Sequence, residues 1–108
     1  MEFKVRFTDD AARDLEERYE FISIQDSISA ADHVLSKIEK AIEDLRSFPR
    51  RGSNPKELLS LGVKEYREVF FKPYRIIYRI GADIIYVYLV ADGRRDMQSL
   101  LTRRLLGA

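Results

Sequence analysis

Three β-rich runs separated by very short breaks are the feature that most restricts the fold of this chain. They cover residues 65–71, 74–80 and 84–90 and are rich in β-branched and aromatic side chains. The breaks, residues 72–73 and 81–83, are long enough only for hairpin connections. The three runs therefore predict an antiparallel meander, because a parallel pairing needs a much longer crossover.

One strand and two helices are predicted before the meander. Apolar and charged residues alternate over 3–7, which indicates a half-buried strand. Thr8 follows as the N-cap of a helix whose apolar stripe ends near Ile24. A second amphipathic helix is predicted over 30–48, with Ser29 as its capping residue, and the proline that follows ends it. The two helices predict an antiparallel hairpin.

The complete pattern indicates the α+β class with the order β-α-α-β-β-β-α. Residues 49–62 are predicted to be a loop, and 97–106 a last helix. We expect a four-stranded antiparallel sheet with the helical hairpin on one face and the C-terminal helix following. The length favours one domain over residues 1–108.

Several classes of protein are excluded by composition. The chain has no cysteine, so disulfides and thiolate metal sites are absent. It has no apolar run of about 18 residues and no secretory leader, so we expect a cytoplasmic protein that does not enter a membrane. The single histidine, His33, and the scattered glycines match no metal or phosphate-loop motif, and we expect neither metal nor cofactor.

The formal net charge of +1 conceals an asymmetry between the two halves. Residues 1–62 carry a net charge of −3, whereas residues 63–108 carry a net charge of +4. The C-terminal half is therefore predicted to bind an anionic partner.

A basic face is predicted on the meander. In the run 74–80, Arg75 and Arg79 alternate with Tyr and Ile residues, as expected where one sheet face meets solvent. Guanidinium groups bind phosphates and carboxylates with two parallel hydrogen bonds. The predicted target-binding residues are Lys64, Arg67, Arg75, Arg79, Arg94 and Arg95. The alternative is that these cations pair with nearby carboxylates, namely Glu65, Glu68, Asp92 and Asp96.

The face occupied by Arg67 depends on the first hairpin turn. A loop made of residues 72–73 alone places Arg67 on the face of Tyr78, whereas a three-residue loop places it beside Arg75. A slip of one residue reverses the faces of a strand, and the sequence leaves both arrangements open.

Local motifs in this order resemble the ParE/RelE superfamily of toxins from bacterial type II toxin–antitoxin systems. They are Val5-Arg6-Phe7-Thr8, Lys64-Glu65-Tyr66-Arg67, Tyr74-Arg75-Ile76-Ile77-Tyr78-Arg79 and Gly93-Arg94-Arg95-Asp96. The resemblance covers nearly the whole chain, and it implies the α+β fold that the periodicity predicts independently.

Two activities are implied by the resemblance. RelE-like members cleave mRNA on the ribosome without a metal, and in that case Arg67, Arg75 and Arg95 are the candidate catalytic residues. Val69 and Leu101 stand where a lysine and a tyrosine are expected. Because arginine is a poor proton shuttle, no residue is then a firm candidate for the general acid or base. ParE-like members instead bind and poison DNA gyrase, and in that case the chain is not an enzyme.

The gyrase poison is our first prediction, mRNA cleavage the alternative, and a non-toxic peptide-binding module a third. The resemblance also implies a cognate antitoxin, and we predict that an acidic, amphipathic segment of it covers residues 64–104. We expect Arg75 and Arg95 at the surface, so that changing either to alanine lowers toxicity and leaves the fold intact.

Overall fold

The structure, a computed structural model, describes residues 2–107. Its elements are β1 (Lys4–Phe7), α1 (Asp9–Gln25), α2 (Ile28–Asp44), α3 (Lys56–Leu59), β2 (Tyr66–Phe71), β3 (Tyr74–Ile80), β4 (Ile84–Asp92) and α4 (Met97–Leu106). The predicted order is confirmed, with the addition of α3, a single turn inside the segment predicted to be a loop. No helix in the described part of the chain is long and apolar enough to cross a membrane.

The sheet has the strand order β1-β4-β3-β2. The meander of β2, β3 and β4 is antiparallel, as predicted. The prediction that the whole sheet is antiparallel is wrong, because β1 pairs with β4 in parallel. Only the meander has hairpin-length connections that dictate strand direction. The direction of β1 instead depends on the path of the chain through the two long helices.

The first hairpin turn consists of two residues only. Phe71 pairs with Tyr74, and Arg67 pairs with Tyr78. Residues directly opposite each other project from the same face of a sheet. Of the two arrangements left open by the sequence, the structure therefore has the one in which Arg67 lies on the opposite face from Arg75.

Side-chain caps define the starts of the two long helices. Thr8 Oγ1 accepts a hydrogen bond from the amide of Ala11 at 3.1 Å, which confirms the predicted N-cap of α1. In α2 the cap is Ser27, whose Oγ accepts from the amide of Ala30 at 2.9 Å. The predicted start near Ala30, with Ser29 as the cap, is therefore wrong by two residues.

Both faces of the sheet are covered. The hairpin of α1 and α2 packs on one face in a cluster of Ala11, Ile38, Ile42, Tyr74, Ile76, Val87 and Val90. On the other face α3 and α4 pack in a second cluster, made of Leu58, Tyr66, Ile77, Leu89, Ala91, Met97, Leu100 and Leu101. The sequence-based expectation of a solvent-facing second side is wrong, because the apolar stripe of α4 folds back across it.

Candidate functional site

Arg75 lies inside the protein and not on a basic surface. It is 8% exposed on the face of the sheet that α3 and α4 cover. Its Nε donates to Glu68 Oε1 at 2.8 Å, and its two terminal nitrogens donate to the two oxygens of Glu57, each at 2.8 Å. The prediction that Arg75 is a surface residue is wrong, because its guanidinium is fully engaged by two carboxylates.

Local structure brings this ion triad together from three elements. Glu57 lies in α3, and Glu68 lies in β2 two residues before the partner of Arg75, on the same face. Gly93 completes the enclosure, since a Cβ there would lie only 2.8 Å from Cδ of Arg75. The triad therefore links α3, β2 and β3 around one guanidinium group.

The electrostatics of the triad keep Arg75 charged, and its two carboxylate partners leave it little tendency to bind a further anion. The hydrogen bonds that Arg75 donates to Glu57 raise the pKa of Arg75 above its already high ordinary value. The same hydrogen bonds lower the pKa of Glu57, whereas burial raises the pKa of Glu68. One guanidinium faces two carboxyl groups, so Arg75 is already compensated within the fold.

Arg67 also makes its hydrogen bonds within the fold. One of its terminal nitrogens donates to the carbonyl oxygen of Gly52 at 2.7 Å. On the same face, the hydroxyl of Tyr78 donates to the carbonyl oxygen of Pro49 at 2.7 Å and accepts from the amide of Gly52 at 3.0 Å. Arg67 and Tyr78 therefore hold the loop between α2 and α3 against the sheet, and Arg67 is separated from Arg75 by the sheet itself.

Two further predicted cations are paired at the surface. Arg79 contacts Glu65 at 3.3 Å, with both side chains largely exposed. Arg94 binds Asp92 through Nε at 2.9 Å and a terminal nitrogen at 2.6 Å. This pairing lowers the pKa of Asp92 to about 2. The alternative in which nearby carboxylates neutralise the arginines is thus confirmed for Arg79 and Arg94, as it is for Arg75.

Lys64 and Arg95 are the predicted site residues that are exposed and, within residues 2–107, make no ion pair. Arg95 lines a cleft of about 310 Å³ between α1 and the end of β4, together with Arg18 and Phe21. Arg18 lies 5.2 Å from the centroid of the Phe21 ring. The six predicted residues therefore do not form one basic patch.

The positions that depart from the RelE-like pattern carry apolar side chains that pack on the sheet. Leu101, on the inner side of α4, is fully buried, and Val69 is half-buried against the hairpin. Neither position has an exposed polar group that could substitute for a tyrosine or a lysine. His33 lies in α2 with its ring centroid 6.2 Å from that of Phe71. In the described part of the chain, no three His, Asp or Glu residues are placed to hold a metal ion.

A partly buried ion pair attaches α4 to α1. Two nitrogens of Arg104 donate to the two oxygens of Asp14 at 3.1 and 3.0 Å, and one of them also donates to the carbonyl oxygen of Tyr88 at 3.2 Å. Asp14 in turn accepts from the amide of Val90 at 3.0 Å. From sequence alone, Arg104 was expected only to lie favourably at the helix end, and nothing indicated a partner 90 residues away.

A mixed four-stranded sheet between a helical hairpin and a C-terminal helix defines a small α+β toxin of the ParE/RelE superfamily. The model of one family, the ParE toxin of the type II toxin-antitoxin system parDE, matches residues 5–97, and the chain belongs to that family.

Individual relatives agree with this assignment. Toxin ParE3 of Caulobacter vibrioides is 23% identical over 91 residues, which are 84% of this chain and 87% of the relative. The chromosomal ParDE system of P. aeruginosa contains a chain similar in structure, with a TM-score of 0.69, 16% identity and coverage of 83% of this chain and 95% of that one. The RelBE2 toxin-antitoxin complex of Mycobacterium tuberculosis gives a TM-score of 0.61 and 24% identity, with coverage of 85% and 99%. The two structural likenesses concern the fold.

Proposed function

We propose that this toxin inhibits growth by binding DNA gyrase and poisoning it, and that a cognate antitoxin neutralises it. Membership of the ParE toxin family supports the proposal. The observation that carries it is the enclosure of Arg75 by Glu57 and Glu68. An arginine held in this way stabilises the fold and does not meet the phosphate of a substrate.

Cleavage of mRNA is the less favoured activity because its chemical groups are missing. Cleavage of this kind is a transesterification that needs groups that move protons at the 2′-hydroxyl and at the leaving oxygen. Leu101 and Val69 occupy the positions where such groups are expected; Leu101 is fully buried, and Val69 packs half-buried against the hairpin. Arg67 and Arg75 lie on opposite faces of the sheet, so they do not converge on one phosphate.

For the antitoxin, we propose an acidic, amphipathic segment that contacts the C-terminal half of the toxin. Lys64 and Arg95 are the exposed cations that would meet its carboxylates, since the other predicted cations are occupied within the fold. The cleft beside Arg95 offers an apolar position at Phe21, and Arg18, Asp14 and Glu17 also line it. A segment with acidic and apolar residues at alternate or helical spacing would satisfy both.

The test is a supercoiling reaction with purified gyrase, run beside a translation reaction programmed with a defined mRNA. We expect loss of supercoiling and accumulation of cleaved DNA, with the mRNA intact. Cuts in the mRNA at codon-phased positions, with normal supercoiling, would contradict the proposal and favour the RelE-like activity.

A matched pair of variants shows whether the surface beside the C-terminal end of β4, where Arg95 lies, contacts the target. Arg95→Ala removes an exposed cation beside the cleft, and Arg13→Ala removes an exposed cation on α1 that is paired only with Asp10. We expect Arg95→Ala to weaken inhibition of gyrase and Arg13→Ala to leave it unchanged. Equal effects of the two changes would mean that Arg95 contributes only to the overall charge.

A further inference from the structure

A second cationic surface is formed by the turn after α2 and the edge strand β2, and its arginines lie in the half of the sequence whose net charge is negative. The turn after α2 exposes Phe48, which is 58% accessible, and the guanidinium carbon of Arg51 lies 4.8 Å from the centroid of its ring. Arg50 is exposed between them, and Phe70 on the edge strand β2 is 51% exposed. We name the surface of Phe48, Arg50, Arg51 and Phe70 the arginine–aromatic platform.

The platform is held in place by buried groups. Tyr78, fully buried, joins the carbonyl of Pro49 to the amide of Gly52 through its hydroxyl. Gly52 itself must lack a side chain, because a Cβ there would lie 2.4 Å from the carbonyl oxygen of Glu68. Ser53 then exchanges two backbone hydrogen bonds with Glu68, at 3.2 and 2.8 Å. A loop fixed at so many points presents its exposed side chains without a large cost in ordering.

Two open clefts meet at Arg51. The first, of about 510 Å³, is lined by Phe3, Phe48 and Pro49 together with the two arginines. The second, of about 390 Å³, is lined by Arg51, Phe70, Asp44 and the residues of the loop. Arg51 lines both clefts, and each cleft contains an aromatic ring.

The cations of the platform are only lightly compensated. Arg50 makes no ion pair among the described residues, and Arg51 lies 3.6 Å from Asp44. The other oxygen of that carboxylate is taken by Lys40 at 2.7 Å. Both guanidinium groups are therefore available to an anion arriving from solvent.

We propose that the arginine–aromatic platform binds single-stranded nucleic acid. A planar guanidinium stacked on an aromatic ring extends a π surface on which a base can stack, and the neighbouring arginine reaches the phosphate. An acidic peptide would satisfy the charges but would continue the stack of Arg51 on Phe48 only through an aromatic side chain, whereas every nucleotide carries both a phosphate and a flat π face. The proposal is independent of gyrase poisoning, since none of the four platform residues is among those proposed to contact gyrase or the antitoxin.

The experiment measures fluorescence anisotropy of a labelled single-stranded RNA of about 12 nucleotides with the purified full chain at about 100 mM salt. We expect Phe48→Ala to weaken binding by about fivefold or more, as loss of one stacked base does. Arg51→Lys keeps the charge and should also weaken binding, because an ammonium group does not stack. Arg50→Gln should reduce the slope of log affinity against log salt by about 0.7.

Arg13→Gln is the control, because it removes the same charge from an exposed position on α1. An equal loss of affinity in Arg13→Gln and Arg50→Gln would overturn the proposal, since the binding would then be non-specific attraction. Tighter binding of a Glu- and Phe-containing peptide of equal charge would overturn it in favour of a protein partner. Absence of any saturable RNA binding by the wild-type chain would overturn it as well.

Discussion

Replacement of Arg75 by alanine is predicted to destabilise the protein strongly, although the alternating sequence of β3 suggests that this arginine faces solvent. The side chains of Arg75, Glu57 and Glu68 are 10%, 11% and 7% exposed. Alanine at this position leaves two carboxyl groups facing each other in a poorly hydrated space. The change also removes three hydrogen bonds to a charged group.

Removing one partner from a buried ion pair costs about 3–5 kcal/mol, because the charge left behind is not compensated. Small domains have a free energy of unfolding of about 5–15 kcal/mol, so Arg75→Ala removes a large part of it. For a domain of roughly 100 residues, each kcal/mol corresponds to about 4–8 °C in Tm. We therefore expect a fall in Tm of at least about 12 °C.

The assay is thermal and urea unfolding followed by circular dichroism, which give Tm and the free energy of unfolding, with Arg79→Ala as the matched control. Arg79 lies on the same strand and pairs with Glu65, but these two side chains are 43% and 57% exposed. Exposed pairs contribute about 0–1 kcal/mol, so the control should unfold almost like the wild type. The triple change Arg75→Met, Glu57→Gln and Glu68→Gln should recover most of the loss, because no uncompensated charge is left.

Similar unfolding curves for Arg75→Ala and Arg79→Ala would refute the prediction. That result would mean that the carboxyl groups find water or become protonated at little cost. It would also restore the sequence-based expectation that Arg75 can be changed without harm to the fold. If the prediction holds, reduced toxicity of Arg75→Ala reports on stability and says nothing about contact with a target.

Three further changes test other contacts. Asp14→Ala should lower the free energy of unfolding by about 1.5–3 kcal/mol and speed hydrogen exchange in α4, since it releases Arg104 and an amide of β4; unchanged exchange in α4 would contradict this. Asp92→Asn should destabilise the protein at neutral pH. Because the folded pKa of Asp92 is lowered from 3.8 to about 2, its stabilisation is complete above 3.8 and is lost as the pH falls through about 2. The stability of wild type and variant should therefore converge in acid, and a constant difference would refute the assignment. Tyr78→Phe should cost about 1–3 kcal/mol and speed amide exchange over residues 49–53, which urea titration and mass spectrometry can measure.

Much of the architecture could be predicted where it depends on local pattern. The strand β3 and the helix α4 have the predicted bounds, because tight turns and a regular apolar stripe define them. The short helix α3 could not be predicted, since four residues are too few to show a helical period. The parallel pairing of β1 was missed for a different reason, namely that a long connection leaves strand direction open.

The site was predicted less well than the fold because exposure is a tertiary property. Alternation in β3 separates two faces correctly, but it cannot say whether the second face meets water or a helix. The deciding features were the apolar stripe of α4, which needs a surface to cover, and Glu57, an acid placed 18 residues before Arg75. A helix with an apolar stripe after a meander implies a second covered face, and arginines in mid-strand on that face must then find carboxylates.

Four of the six predicted cations differ by their position in the sheet, and the other two, Arg79 and Arg94, form surface ion pairs. Arg67 and Arg75 lie within strands and are drawn into the fold, whereas Lys64 and Arg95 lie beyond the strand ends, where no helix covers them. A charge beyond a strand end stays hydrated at no cost, so such positions can keep cations available for a partner. The contacts of this toxin with its target are therefore expected at the ends of the sheet and not across its face.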